Sequence, residues 1–285
     1  MTIAFLGTGL IGKPMAEKLV KSGYEIIVYN RTVEKTKFLK ELGATVLKNP
    51  KDAIESADGS ILMLSDAQAI QEVLFSDKID FRNKTIIQMG TILPAESQNF
   101  HEKINSGGGN YFEAPVLGSI PQVQEGKLIV MVGGNQDQYN KWKEVFKSFG
   151  EDIHYVGGIG KAAALKLAMN QLIASLTAAF SLSLAMIQRN NIDVDLFMNI
   201  VRNSALYAPT FDKKLPRMLK RDFSNPNFPT KHLLKDADLI FKESKRLGLS
   251  TPSLEGVIHL IKISLEKGFV ETDYSSIYNA VNPQD

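Results

Sequence analysis

Near its start the chain reads Ile3-Ala4-Phe5-Leu6-Gly7-Thr8-Gly9-Leu10-Ile11-Gly12-Lys13-Pro14-Met15-Ala16. Ile3 to Leu6 is a short β-branched and apolar run, and Lys13 to Ser22 is amphipathic, so the glycines lie between a strand and a helix. A second strand, Glu25 to Tyr29, follows. A GxGxxG alone is a weak signal, but strand, glycine loop, helix and strand in this order are the context it needs for a dinucleotide. In that reading Gly7 permits a tight turn, Gly9 lets the backbone approach a pyrophosphate, and Gly12 lets the helix pack close to the strand. The phosphates would lie over N–H groups of Thr8 to Gly12, at the positive end of the helix. The plainer alternative is a glycine-rich turn without a ligand.

Working outward, the end of the second strand carries Asn30-Arg31-Thr32, where an NAD site would usually place an Asp or Glu on the ribose 2′-hydroxyl. A neutral Asn removes repulsion and Arg31 offers a fork to a 2′-phosphate, which predicts NADP(H) over NAD(H). Arg31 as an ordinary surface residue is the alternative. Further strands are expected at 44–47, 59–64, 85–89, 111–114, 128–132 and 153–156. Helices fit between most of them, at 33–42, 50–56, 67–75, 94–104 and 136–149. This alternation predicts a doubly wound, parallel α/β sheet of the Rossmann type. Ligands bind at the carboxyl ends of such strands, so the loops Leu64-Ser65-Asp66, Met89-Gly90-Thr91 and 115–122 are candidates for the site.

From Gly160 to Arg189 the chain reads GKAAALKLAMNQLIASLTAAFSLSLAMIQR, strong helix composition with apolar or small residues on every side. The expectation is a helix running through the middle of the protein. Past Lys161 the only charge before Arg189 is Lys166, and Asn170 lies one turn later on the same face. A buried ammonium without a partner is costly, so the pair should face a wet pocket or a polar ligand. A lysine snorkelling to water at the helix mouth is the competing reading. The run is long enough for a membrane span, but Lys, Asn, Gln and hydroxyls interrupt it and anchors are missing at both ends, so no membrane is expected. Beyond it, helical patterns at 193–203, 211–219, 231–247, 252–268 and 275–281 predict an all-helical second domain, residues 161–285, after a nucleotide-binding domain of residues 1–160. On spacing alone, Lys235 and Asp236 read as a solvated face.

Composition narrows the function. The hydrophobic fraction is 44% and the charged fraction 22%, ordinary for a soluble globular enzyme. A net charge of +2 without a basic run gives no case for nucleic acid. With no cysteine there are no disulfides and no thiolate nucleophile or ligand. His101, His154, His232 and His259 are scattered without metal-ligand spacing, so no metal is expected. MTIAFLG has no basic lead, and a cytoplasmic location is the expectation.

Four blocks, FLGTGLIGKPMA (5–16), MGT (89–91), EAPVLGS (113–119) and GKAAALKLAMN (160–170), resemble the β-hydroxyacid dehydrogenase family over essentially the whole chain. FPTKHLLKD (228–236) points most closely to its glyoxylate/succinic semialdehyde reductase branch. The resemblance implies a dinucleotide-binding domain joined by one long helix to a helical domain, in homodimers or homotetramers. It implies that Lys166 is the general acid protonating a carbonyl oxygen, and the general base in reverse, with Asn170 orienting substrate and ammonium. Desolvation in a closed cleft would favour release of that proton. Thr91 matches a position beside nicotinamide and substrate, and Phe228, Lys235 and Asp236 positions lining or bracing the cleft; Leu64 and Ser65, in a loop at a strand's carboxyl end, are expected with Lys235 on the cofactor. The family's DxST reads Gln88-Met89-Gly90-Thr91 here, and Leu117 stands where carboxylate-binding members usually have Ser. Leucine donates no hydrogen bond, so Gly118, Ser119 and backbone N–H groups would have to hold a substrate carboxylate. The expected activity is NADPH-dependent reduction of a small aldehyde or 2-oxo acid. Two alternatives are an imine reductase, against which the intact KxxxN pair argues, and a cofactor-binding scaffold without turnover.

Overall fold

The computed structural model describes residues 1–284. The chain forms two compact units, Met1–Leu167 and Ala168–Asp285. In the first, the elements are β1 (Thr2–Leu6), α1 (Gly12–Lys21), β2 (Glu25–Tyr29), a 3-10 turn (Val33–Thr36), α2 (Lys37–Glu41), β3 (Thr45–Val46), α3 (Pro50–Glu55), β4 (Gly59–Leu62), α4 (Ala67–Phe75), β5 (Thr85–Gln88), α5 (Pro94–Ser106), β6 (Asn110–Glu113), β7 (Val116–Leu117), α6 (Ile120–Glu125), β8 (Ile129–Gly133), α7 (Gln136–Lys147) and β9 (Ile153–Gly157). They build one sheet in the order β3-β2-β1-β4-β5-β6-β8-β7, with β9 paired to β8. The first six strands of that order are parallel.

Side chains alternate across β1, and both sets are buried. Ile3 and Phe5 pack with Met15, Leu19, Trp142 and Phe146 on one face, while Ala4 and Leu6 pack with Ile70, Leu74, Phe100 and Ile104 on the other. A strand covered on both faces must be apolar throughout, which is why β1 reads as a run and not as an alternation. Burying each large side chain stabilises by about 1.5–3 kcal/mol, so the ends of β1 and β4 are firmly held. Strand order reverses between these two, the place where a doubly wound sheet offers a crevice.

The sheet is mostly parallel, and it departs from the expected pattern at one edge. β8 runs antiparallel to β6 and to β7, a two-residue strand that sequence periodicity did not reveal. The short α6 was also unforeseen, in the stretch assigned to a loop. Its Gly126 end, at φ +68, sits in the left-handed region that glycine tolerates.

A 29-residue helix, α8 (Lys161–Arg189), leaves the first unit and enters the second. The second unit adds α9 (Val194–Arg202), α10 (Pro209–Lys220), α11 (Thr230–Arg246), α12 (Pro252–Glu266), a 3-10 turn (Tyr274–Ile277) and α13 (Tyr278–Val281). Its core gathers Phe180 and Leu184 of α8 with Phe211, Met218 and Tyr278, and the Phe180 and Phe211 rings stack at 4.5 Å. Lys214 and Asp273, both buried, pair at 2.7 Å and tie α10 to the 3-10 turn. The expectation that α8 is enclosed on every side is corrected: Leu172, Leu182 and Met186 are 54%, 55% and 59% exposed. Their spacing of ten and four residues puts them on one stripe that this chain leaves uncovered.

Candidate active site

The three glycines of the loop are needed for three different reasons. Gly7 has φ +102, and a Cβ there would lie 2.3 Å from the carbonyl oxygen of Met63 after β4. At Gly12 a Cβ would lie 2.0 Å from the Gly7 carbonyl oxygen and 3.3 Å from Phe5, so α1 starts in contact with β1. A Cβ at Gly9 would meet nothing within 4 Å. No part of the chain requires glycine at that position, and open space over a bare backbone is what a pyrophosphate needs. The residues present therefore fit a dinucleotide.

Around the loop the hydrogen bonds are specific. Asn30 Oδ1 accepts the Thr8 N–H at 2.9 Å, and Asn30 Nδ2 donates to the Thr32 carbonyl at 2.8 Å. Asn30 thus braces the loop against the end of β2, and the Thr8 N–H is already engaged instead of open to phosphate. Leu10 is exposed, Ile11 immediately precedes α1, and Arg31 and Thr32 are exposed beyond β2. A cavity of 580 Å³ adjoins the loop, lined by Thr8, Gly9, Leu10, Lys13, Lys35 and Phe38 among others. Lys13 Nζ stands 4.5 Å from the centre of the Phe38 ring. Sequence reasoning missed Lys35; its position four residues after Arg31, in the turn following β2, is the signal that could have found it.

The neighbouring loops follow strands of the same sheet. Leu64 and Ser65 follow β4, and Asp66 caps α4 by accepting the Ala69 N–H at 2.8 Å. Gly90 and Thr91 follow β5, and a Cβ at Gly90 would lie 2.6 Å from the Leu64 carbonyl oxygen. Those two loops touch, so Leu64 and Thr91 are brought to one end of the sheet. Gln88 is buried and donates to the Gly90 carbonyl at 3.2 Å. Leu117 lies half-buried in β7, paired with Ile129. Gly118 has φ +134, a backbone that side chains resist. Ser119 directs both its N–H and its hydroxyl to Gln122 Oε1, at 3.0 and 2.7 Å. It could hold a substrate carboxylate only by giving up one of those bonds.

On α8, Lys166 is half-buried and Asn170 is 3% exposed. Asn170 Nδ2 donates to Asp236 Oδ2 at 2.7 Å, while Asn170 Oδ1 is buried with no hydrogen-bond partner among the described residues. Asp236 is 2% exposed, and its Oδ1 pairs with Lys235 Nζ at 2.8 Å. The solvated-face reading of Lys235 and Asp236 is therefore corrected: Asp236 is a buried carboxylate and Lys235 is half-buried against it. Phe228, half-buried before α11, stacks with His232 at 6.3 Å and meets the Tyr274 ring edge-on at 5.7 Å. Burial lowers the pKa of His232 and pushes the Tyr274 hydroxyl up to about 12. At neutral pH that phenol is a poor proton donor. Among the described residues no group of three or more His, Asp or Glu is placed to hold a metal ion.

A strand-order reversal with a glycine loop at its mouth, followed by a long helix into an all-helical unit, is the architecture of a dinucleotide-binding protein. Residues 2–157 match the NAD-binding domain of 6-phosphogluconate dehydrogenase, and residues 160–281 match the NAD-binding region of NADP-dependent 3-hydroxyisobutyrate dehydrogenase. The chain is similar to glyoxylate/succinic semialdehyde reductase 1 of Arabidopsis thaliana, at 32% identity over 99% of this chain and 98% of that one. It is similar to 2-hydroxy-3-oxopropionate reductase of Escherichia coli (strain K12), at 30% identity over 99% and 97%. Its fold resembles Mycobacterium tuberculosis 3-hydroxyisobutyrate dehydrogenase, solved with L-serine, with a TM-score of 0.89 at 20% identity and 98% of each chain covered. The chain belongs to the β-hydroxyacid dehydrogenase family.

Proposed function

We propose that this protein reduces a small aldehyde or 2-oxo acid with NADPH, glyoxylate and succinic semialdehyde being the first candidates, and that Lys166 is its general acid. The observation that carries the reading is the buried Asn170: Asp236 holds its amide nitrogen, and its oxygen is left without a donor one helical turn from Lys166. An unpaired buried acceptor costs about 1–3 kcal/mol, which a ligand hydroxyl or an ammonium would offset. The bound cofactor supplies hydride. Lys166 gives its proton to the carbonyl oxygen as charge develops there, and takes it back from the hydroxyl in reverse. Asn170, held by Asp236, orients the reacting oxygen and the ammonium, with Phe228 as an apolar wall. Thr91 contributes a hydroxyl to the substrate and nicotinamide end, and Gly118 and Ser119 supply donors near Leu117.

For the cofactor, Gly7 to Gly12 carry the pyrophosphate, Leu64 and Ser65 lie along its path, and Lys235 adds positive charge. Arg31 selects the 2′-phosphate, aided by Lys35, since the residue that follows β2 is the neutral Asn30 and not a carboxylate. The protein assembles as a homodimer or homotetramer through the uncovered stripe of α8 and the exposed Leu196 and Ile200 of α9. Light scattering that reports a monomer would remove that assignment.

NADPH oxidation against a panel of semialdehydes, 2-oxo acids and cyclic imines tests the reading. Fastest turnover of a semialdehyde or 2-oxo acid supports it. Preference for an imine would move the assignment to imine reduction, in keeping with Leu117, and absence of any turnover would leave a nucleotide-binding scaffold.

A further inference from the structure

Glu113, at the end of β6, is 1% exposed and touches no part of the glycine loop's cavity. Its Oε1 accepts the backbone N–H of Ala163, in the first turn of α8, at 2.9 Å. Its Oε2 takes the Ser97 hydroxyl of α5, and Ser97 Oγ lies 2.9 Å from the Tyr111 hydroxyl of β6. One carboxylate therefore joins β6, α5 and α8. The seat is tight: a Cβ at Gly133 of β8 would come within 2.6 Å of Glu113 Oε1 and 3.0 Å of Ala162 Cβ. Burial pushes its pKa up, opposed by hydrogen bonds from Ser97 and from the N–H groups of Ala163, Ala162 and Gly160.

The first N–H groups of a helix have no partner inside it, and an acceptor supplied from elsewhere fixes where the helix begins. A negative group there also suits the helix dipole. Here the acceptor comes from the sheet, fifty residues upstream, so it sets the helix against the rigid part of the nucleotide-binding unit. Lys166 follows Ala163 by three residues, about 4.5 Å of rise along the axis. Because α8 is continuous, a shift of its first turn carries the lysine with it, and a displacement of about 1 Å at a reacting group costs on the order of 100-fold in rate.

We propose that Glu113 is a positioning residue, which fixes the first turn of α8 on the sheet and through it places the ammonium of Lys166. This rests on the reading of Lys166 as general acid. The contact is specific in geometry, since Oε1 faces the helix and Oε2 is turned the other way by Ser97.

A double-mutant cycle on single-turnover NADPH oxidation, at saturating cofactor and substrate, separates the two claims. Glu113→Ala is expected to slow turnover by about 10- to 100-fold while the KM for NADPH stays within about twofold. Glu113→Gln, whose amide oxygen can still accept the Ala163 N–H, restores most of the loss. In the Lys166→Ala background Glu113→Ala adds little. Equal losses in both backgrounds, or a Glu113→Ala enzyme with the wild-type rate and only a lower Tm, would overturn the inference while leaving Lys166 its role. A Lys166→Ala enzyme with full turnover would remove the reading beneath it. If Glu113→Ala does not fold, Ser97→Ala and Gly133→Ala disturb the same carboxylate from its two sides, and go through the same cycle with the same expected non-additivity.

Discussion

Gly7, Thr8 and Gly12 of the glycine loop are buried, as are Asn170 and Asp236, yet the loop and the pair are held in opposite ways. In the loop, backbone does the work: Gly7 and Gly12 are dictated by carbonyl oxygens 2.3 and 2.0 Å from where a Cβ would stand, and all six residues are consecutive. In the pair, side chains from α8 and α11, sixty-six residues apart, meet at 2.7 Å. A site made of backbone is written in one place in the chain; a site made of side chains is written in two and joined only by folding.

The contrast can be broken by substitution. Among variants that keep Lys166, Asp236→Ala should have the largest effect. It frees the Asn170 amide and leaves Lys235 without its buried partner, so kcat should fall by about 100-fold with little change in the KM for NADPH. Asn170→Ala should cost as much, and the double variant no more than either, because the two act as one unit. Steady-state kinetics on the three proteins would expose independent roles as additive losses.

Arg31→Ala should lower the ratio of kcat/KM for NADPH to that for NADH by about 10- to 100-fold, the worth of charge-assisted hydrogen bonds to a phosphate. An unchanged ratio would return Arg31 to the surface and shift the burden to Lys35. Smaller still, Gly9→Ala should raise the KM for NADPH by about tenfold and leave Tm unchanged, since its Cβ meets no protein atom. Gly12→Ala should do the reverse and lower Tm by about 5 °C or more, because the new methyl group meets the Gly7 carbonyl. Matching thermal shifts for the two glycines would erase the difference drawn between them.

Much of the fold was legible because it is local. β1, the glycine loop, α1 and β2 follow one another without a break, and the strand–helix alternation after them needs only periods of two and 3.6. β7 and α6 were not legible, for two residues are too few to carry a period and α6 is a single turn and a half. The antiparallel return of β8 lies in pairing with Val116 and Leu117, which no pattern within β8 encodes. For α8 the composition gave a long helix correctly and its burial wrongly, since apolar residues all round do not say which side the chain itself will cover.

The site divides along the same line. The KxxxN spacing put Lys166 and Asn170 on one face of a helix, which local geometry guarantees. Asp236 was misread on spacing because adjacent Lys and Asp look like a surface pair, whereas Asp236 is on the buried face of α11 and its partner Asn170 lies sixty-six residues upstream. Resemblance to the family named the position where spacing did not. Nothing in EAPVLGS marks Glu113 as the partner of a helix, and its contact with Ala163 is visible only once β6 and α8 are brought together.

In the proposed mechanism Lys166 delivers the proton while the loop holds the cofactor independently of it. The most direct test is single-turnover NADPH oxidation by Lys166→Ala with the best substrate of the panel, beside NADPH binding to the same variant. Binding should equal that of wild type, and the hydride-transfer step should be slower by about 100- to 10,000-fold. Wild-type transfer by the alanine variant would contradict it.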